Sequence, residues 1–88
     1  MILVNEKSIM KKIEEILNNE LEHQNIQMKM NDNLVEAGID SIEFMAILVY
    51  LEEEYGIEID YLKYFSDNFE CILFEDIIRA VINELAQK

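Results

Sequence analysis

The stretch Gly38-Ile39-Asp40-Ser41-Ile42, with the apolar segment that follows it as far as Tyr55, decides how this chain is organised. Glycine allows a tight backbone turn, and an aspartate directly before an apolar-periodic segment is typical of a helix N-cap. The order of these residues predicts a helix that begins at about Ser41. The serine hydroxyl should then lie on an exposed corner of the fold, where it is a candidate attachment point.

The helix predicted after Ser41 carries two apolar faces. At about 100° per residue, one set of side chains clusters on a single side and should face the core. This set is Phe44, Ile47, Leu48, Leu51 and Tyr55. A second set lies on a flank beside the serine, and we call it the docking stripe: Ile42, Met45 and Val49. Because acidic residues lie at the ends of the stripe, the pattern is typical of a small interface with a polar rim.

We therefore predict a partner-binding surface on this helix. Its candidate residues are Ile42, Glu43, Met45, Val49, Glu52 and Glu53. The alternative is that the stripe belongs to the core, covered by a third helix or by the loop at residues 22–33. Methionine suits a surface that adapts to several partners, and acidic neighbours speed encounters with basic patches while adding little to tight binding.

Two more amphipathic helices flank this one. Apolar residues at helical spacing predict a first helix over about Ser8–Leu21, with Asn5 or Glu6 as alternative starts. The same periodicity predicts a last helix over about Phe74–Ala86. Each would bury one apolar side against the central helix.

The connections between the helices are marked by glycine and by polar or irregular stretches. Residues 22–33 lose the helical period and predict a long loop pinned by apolar side chains. Gly56 is placed to end the central helix, and Ile57–Asp60 resembles an extended connector. The aromatic segment 61–73 predicts one short helix, its rings most simply part of the core. The predicted fold is an all-α, four-helix bundle of three long helices and one short one, in a single domain spanning residues 1–88.

Composition and charge limit the possible functions. The chain has 88 residues, 51% of them apolar, with no proline and two glycines, which favours helices. Its 19 acidic and 7 basic residues give a formal net charge of -12, which repels nucleic-acid phosphates and favours basic protein partners. The alternative is that the acidic residues only keep a small helical protein soluble. No apolar run approaches the roughly 20 residues needed to span a bilayer. The single Cys71 and the short, quickly acidic N-terminus predict a cytoplasmic protein.

The residues that could carry catalysis or bind a metal are few. His23 is the only histidine. The sequence around Ser41 also lacks the Gly-x-Ser-x-Gly turn of a hydrolase nucleophile, which argues against a hydrolase. Cys71 is expected to be a small buried residue or an unreactive thiol, because no basic residue is close in sequence to lower its pKa. Asp32, Glu36 and Asp40 do not have the spacing of a calcium loop. We predict no catalytic residue and no metal site.

One long stretch resembles a known family. The run Leu34-Val35-Glu36-Ala37-Gly38-Ile39-Asp40-Ser41-Ile42, the helix end Leu51-Glu52-Glu53-Glu54-Tyr55-Gly56 and the connector Ile57-Glu58-Ile59 resemble the acyl and peptidyl carrier proteins. The similarity covers nearly the whole chain. It implies that Ser41, beside Asp40, bears a 4′-phosphopantetheine arm derived from coenzyme A. It also implies that the helix after Ser41 is the one that partner enzymes bind.

The resemblance implies a non-catalytic, stand-alone, monomeric carrier that holds acyl or aminoacyl groups as thioesters. Its partners would be a phosphopantetheinyl transferase, a loading enzyme and downstream biosynthetic enzymes. Three departures favour a specialised pathway, such as polyketide or nonribosomal peptide synthesis: Ile42 where leucine is commonest, Ala46 where fatty-acid carriers place an acid, and the aromatic segment 61–74. The alternatives are the housekeeping fatty-acid carrier and an acidic interaction module that is never modified.

Overall fold

The helix that begins at Ser41 is the longest of the described helices, and other helices precede and follow it in the chain. The computed structural model describes residues 4–21, 28–65 and 67–88. These residues form four α-helices: α1 (Glu6–Glu15), α2 (Ser41–Tyr55), α3 (Tyr61–Tyr64) and α4 (Phe74–Ala86). A π-helical segment (Ile16–Glu20) continues α1, and a 3₁₀ turn (Phe69–Cys71) precedes α4. The all-α prediction with three long helices and one short one is confirmed.

Helix α1 begins two residues earlier than Ser8. Asn5 is its N-cap, and the Asn5 side chain accepts a hydrogen bond from the backbone N–H of Ser8 at 2.9 Å. The Ser8 hydroxyl oxygen in return accepts from the Asn5 N–H at 3.0 Å. Asn5, one of the two alternative starts, is therefore the cap, because its side-chain oxygen accepts from the third helical N–H while the Ser8 hydroxyl closes the reciprocal bond.

Helix α2 has the predicted boundaries and the predicted end. Gly56 has φ +64°, a left-handed conformation that side chains other than glycine rarely adopt. Its N–H and that of Ile57 both donate to the carbonyl of Glu52, which closes the last turn. Ile57 is buried and Ile59 partly buried, as the connector prediction requires.

The core of the bundle combines one face of each long helix with the aromatic segment before α4. The ring of Phe44 is 1% exposed and packs against three rings, those of Phe65, Tyr61 and Phe69, with centroid distances of 5.1, 5.9 and 5.7 Å. The interpretation of the aromatic residues as core is confirmed for this cluster. The burial expected as one alternative for Cys71 is wrong: the thiol is exposed, since the 3₁₀ turn directs Ile72 into the core instead.

The described part of the predicted loop is fixed to the segment that begins α4. Leu34 N–H donates to Ile72 O at 3.1 Å, and Phe74 N–H donates to Asp32 O at 3.1 Å. Between these bonds lies an isolated antiparallel bridge of Asn33 with Leu73. We call this pairing the strap. It supports the expectation of a pinned loop for residues 28–33, while residues 22–27, with His23, lie outside the described residues.

Candidate functional site

A turn directly after the strap brings the chain to the start of α2. Gly38 N–H donates to Val35 O at 3.0 Å, and Ile39 N–H donates to Leu34 O at 3.0 Å. Gly38 has φ +84°, which explains the glycine at this position. Leu34 is 0% and Ile39 2% exposed, so both ends of the turn are anchored in the core. The corner formed by Asp40 and Ser41, which follows the turn, therefore has a defined position.

Asp40 and Ser41 have different roles at this corner. Asp40 is the N-cap of α2, and its Oδ1 accepts from Glu43 N–H at 2.7 Å. Glu43 Oε1 accepts from Asp40 N–H at 3.1 Å, so the two carboxylates form a capping box around the first turn. Ser41 is the first helical residue and is exposed. Because Asp40 is the cap, the hydroxyl of Ser41 is not required for capping.

The surface three residues before Ser41 is open at Gly38. A Cβ added at Gly38, three residues before Ser41, would meet no heavy atom within 4 Å. The chain is therefore open to solvent at Gly38 as well as at Ser41. The start of α2 is also the positive end of its helix dipole, which favours a negatively charged group nearby.

The docking stripe lies on the surface of the described structure. Ile42 is 79%, Met45 47% and Val49 49% exposed. Along the same helix, Ile47 and Leu51 are both 0% exposed, so the angular separation of the two faces is confirmed.

The acidic candidates have unequal surroundings. Glu53 is exposed, whereas Glu52 is partly buried and its Oε2 accepts from Ile59 N–H at 2.8 Å. Both line an open groove of about 800 Å³ beside Val49, which extends to the start of α3. Glu52 therefore also fixes the connector to α2. Glu43, in the capping box, likewise has a structural bond in addition to its predicted contact with partners.

Three exposed apolar side chains in the described residues were not among the sequence candidates for the partner surface. Val35 is 44% exposed in the turn before α2, Leu62 is 80% exposed in α3, and Ile82 is 37% exposed in α4. Val35 and Leu62 do not lie in a helix long enough to show an amphipathic period, which is the signal on which the prediction of the stripe depends. Ile82 lies in α4, where the apolar period predicts a core position for it.

The described residues contain neither the pattern of a metal-binding cluster nor that of a membrane-spanning helix. Among them, no group of three or more histidine, cysteine, aspartate or glutamate side chains could hold a metal ion. Within the same residues, no helix has the length and apolar character to cross a membrane.

Among the described residues, the pKa values of Lys12 and Tyr55 are shifted, and both lie near the other end of α2. Hydrogen bonds with Glu15 and then Glu54 raise the pKa of Lys12, and burial followed by the charge of Glu54 raises the pKa of Tyr55. Glu54 is thirteen residues beyond Ser41, about 20 Å along the helix. These shifts therefore concern the contact between α1 and α2 and not the corner.

Comparison with known proteins gives the class. The family model described as the phosphopantetheine attachment site matches residues 11–68, more than half of the chain, and this range contains the corner, the docking stripe and the connector. The chain belongs to this family of carriers, whose cofactor is covalently attached 4′-phosphopantetheine. No curated protein and no solved structure matches it significantly.

Proposed function

We propose that Ser41 carries the 4′-phosphopantetheine arm and that the chain holds acyl or aminoacyl groups as thioesters for partner enzymes. The observation that carries this proposal is the exposure of Ser41 at the first residue of α2, inside the matched range. The chain has two other serines. Ser8 lies outside the matched range and its oxygen accepts a bond in the α1 cap. Ser66 lies within the matched range but outside the described residues.

The chain supplies the position of the hydroxyl and the surface around it. Ser41 Oγ would bond to the phosphorus that bears the pantetheine in coenzyme A and give its proton to a base of the transferase. The pyrophosphate bond of coenzyme A would break in the same step, and adenosine 3′,5′-bisphosphate would leave. The attached group supplies a terminal thiol that holds the cargo. Asp40 fixes the corner, and we propose that Ile42, Met45 and Val49 contact partners, with Glu43, Glu52 and Glu53 contributing charge. Such a surface suits rapid association and release.

We further propose that residues 1–88 act as one monomeric, non-catalytic carrier domain in the cytoplasm, in a specialised biosynthetic pathway. The support for the pathway is the set of departures at Ile42, Ala46 and the aromatic segment 61–74. In the structure these aromatic rings fill the space around Phe44. The housekeeping fatty-acid carrier is the alternative that cargo identification would distinguish.

The proposal is tested by loading the protein in vitro. The full chain is incubated with coenzyme A and several phosphopantetheinyl transferases, and the product is followed by intact mass and then by peptide mapping. We expect one added arm on the Ser41 peptide, no addition to Ser41→Ala and normal loading of Ser66→Ala. Addition at Ser66 would move the site. The absence of addition with every transferase would instead support an unmodified interaction module.

A further inference from the structure

One polar side chain connects the strap to the turn that leads to Ser41. Asn33 is partly buried at the isolated bridge with Leu73. Its Oδ1 accepts from Val35 N–H at 2.9 Å, and its Nδ2 donates to the carbonyl of Glu70. The first bond joins neighbours in sequence, while the second spans 37 positions. The side-chain amide of Asn33 therefore forms one bond within the turn and a second bond to the segment before α4.

The bonds of the turn continue from Asn33 toward the serine. Ala37 N–H donates to both Asn33 O and Leu34 O at 3.1 Å. Ile39, whose N–H donates to Leu34 O, is the last residue before the Asp40 cap. The chain that leads into the first turn of α2 is therefore bonded back to Asn33 and Leu34, which the strap holds.

The other end of the Asn33 contact is itself fixed. Asn68 Oδ1 accepts from Glu70 N–H at 3.1 Å and caps the 3₁₀ turn. Phe69 in that turn packs against Phe44 of α2, with ring centroids 5.7 Å apart. The Glu70 carbonyl therefore belongs to a segment that already contacts α2 through Phe69. Its bond with Asn33 connects this segment to the turn before α2 as well.

We propose that Asn33 is a positioning residue for the modification of Ser41. It does not touch the reacting atoms, but by accepting from Val35 and donating to Glu70 it fixes the direction in which the serine hydroxyl is presented to the transferase. This inference rests on the proposed attachment at Ser41. Because docking depends on the exposed stripe and reaction depends on the placement of the hydroxyl, loss of the Asn33 contacts should lower kcat and leave KM unchanged.

The experiment compares three variants of the full chain in transferase kinetics. Asn33→Ala removes both bonds, whereas Asn33→Asp keeps an acceptor for Val35 N–H but has no donor for Glu70 O. Asn5→Ala is the matched control, because it removes a bond of the same kind from the α1 cap. Thermal melting fixes an assay temperature at which each variant is folded, and hydrogen exchange reports the protection of the Ala37 and Ile39 amides.

We expect Asn33→Ala to lower kcat by roughly 10-fold, below the about 100-fold that a 1 Å misplacement can cost, with KM within about twofold of the parent. Asn33→Asp should have an intermediate kcat, and Asn5→Ala a kcat equal to that of the parent. The Ala37 and Ile39 amides should exchange faster in Asn33→Ala only. If Asn33→Ala is unfolded at the assay temperature, Asn33→Asp alone must show the loss of kcat.

Several results would overturn the inference. A kcat for the folded Asn33 variants equal to that of Asn5→Ala would leave Asn33 a purely structural residue, while loading of the parent at Ser41 would keep the proposed function. A rise in KM with unchanged kcat would make Asn33 a docking contact instead. A parent chain that is not loaded at Ser41 would overturn both proposals together.

Discussion

At the scale of single residues, Asp40 and Ser41 separate the stabilisation of a helix from the chemistry proposed beside it. Asp40 closes the capping box with Glu43, at 2.7 and 3.1 Å, and leaves Ser41 exposed one residue later. The cap was predictable because aspartate before an apolar helix is a strong local signal. The partner in the box was also readable, since an acid three residues after the cap is its signature. The sequence prediction for Glu43, however, is only a place in the partner-binding surface.

The first prediction concerns Ser41→Ala. Since the Asp40 carboxylate is the cap, we expect the alanine variant to lose no more than about 0.5 kcal/mol in the free energy of unfolding and to lose all loading. Asp40→Ala is the control and should cost about 0.5–2 kcal/mol. Urea unfolding followed by circular dichroism and intact mass after transferase treatment measure the two effects. Retained loading in a normally folded Ser41→Ala would refute the assignment of the site.

At the scale of elements, α2 shows what helical geometry allows a sequence to predict. The two faces of α2 follow from 100° per residue alone, and the exposures of Met45 and Leu51, 47% and 0%, agree with it. The strap at Asn33 could not be predicted in the same way, because an isolated bridge joins segments 40 positions apart and leaves no local period. The same reason applies to Cys71, whose exposure depends on how a short 3₁₀ turn packs.

The second prediction compares the docking stripe with the core face of the same helix. Met45→Gln and Val49→Gln should each change stability by no more than about 0.5 kcal/mol, because both side chains are about half exposed. Ile47→Gln and Leu51→Gln should each cost about 2–5 kcal/mol, since both are fully buried.

Urea midpoints of the four variants measure this difference, and transferase kinetics test the partner surface. The stripe variants should raise KM, which also distinguishes them from the Asn33 variants. If Met45→Gln and Val49→Gln unfold as readily as the core variants, the stripe is part of the core. The partner surface would then have to include other exposed residues, such as Val35 and Leu62.

The third prediction concerns the ion pairs between α1 and α2. Lys12 Nζ lies 3.3 Å from carboxylate oxygens of both Glu15 and Glu54, and hydrogen bonds to these groups raise its pKa above 10.5. A lysine whose pKa is raised by folding contributes its full stabilisation at pH values below its pKa in the unfolded state. This stabilisation is lost as the pH rises through its pKa in the folded state. Lys12→Met should therefore cost about 0.2–1 kcal/mol at pH 7, a small value because the pairs are partly exposed to solvent.

The difference between parent and Lys12→Met should shrink as the pH rises beyond about 10.5. Both proteins are best compared in a Tyr55→Phe background, because burial and then Glu54 raise the pKa of Tyr55, whose ionisation would overlap. Urea unfolding at a series of pH values measures the difference. A stability difference that is constant from pH 7 to well above the folded pKa would show that Lys12 acts through packing of its aliphatic chain.

At the scale of the whole molecule, charge is the dominant feature. The net charge of -12 falls on a chain of 88 residues, and acids crowd the groove beside Val49, where Glu52, Glu53 and Glu58 meet. A surface with a large excess of negative charge attracts basic partners but repels itself in the folded state. Composition alone predicts this property, whereas the location of the acidic groove depends on how the connector returns along α2.

The fourth prediction is that stability rises with salt. At 0.1 M ionic strength charges are screened over about 10 Å, so self-repulsion within the bundle should weaken as sodium chloride is added. The Lys12 ion pairs would weaken too, but exposed pairs contribute at most about 1 kcal/mol and oppose the larger repulsion only in part. We expect the melting temperature to rise between low salt and about 0.3 M sodium chloride, with chloride chosen because sulfate also strengthens apolar burial.

The control is the double variant Glu53→Gln/Glu58→Gln, which removes two exposed charges from the groove. It should melt at a higher temperature than the parent at low salt, and its melting temperature should respond less to salt. A melting temperature that does not depend on salt in either protein would show that the acidic residues are spaced widely enough to coexist without cost.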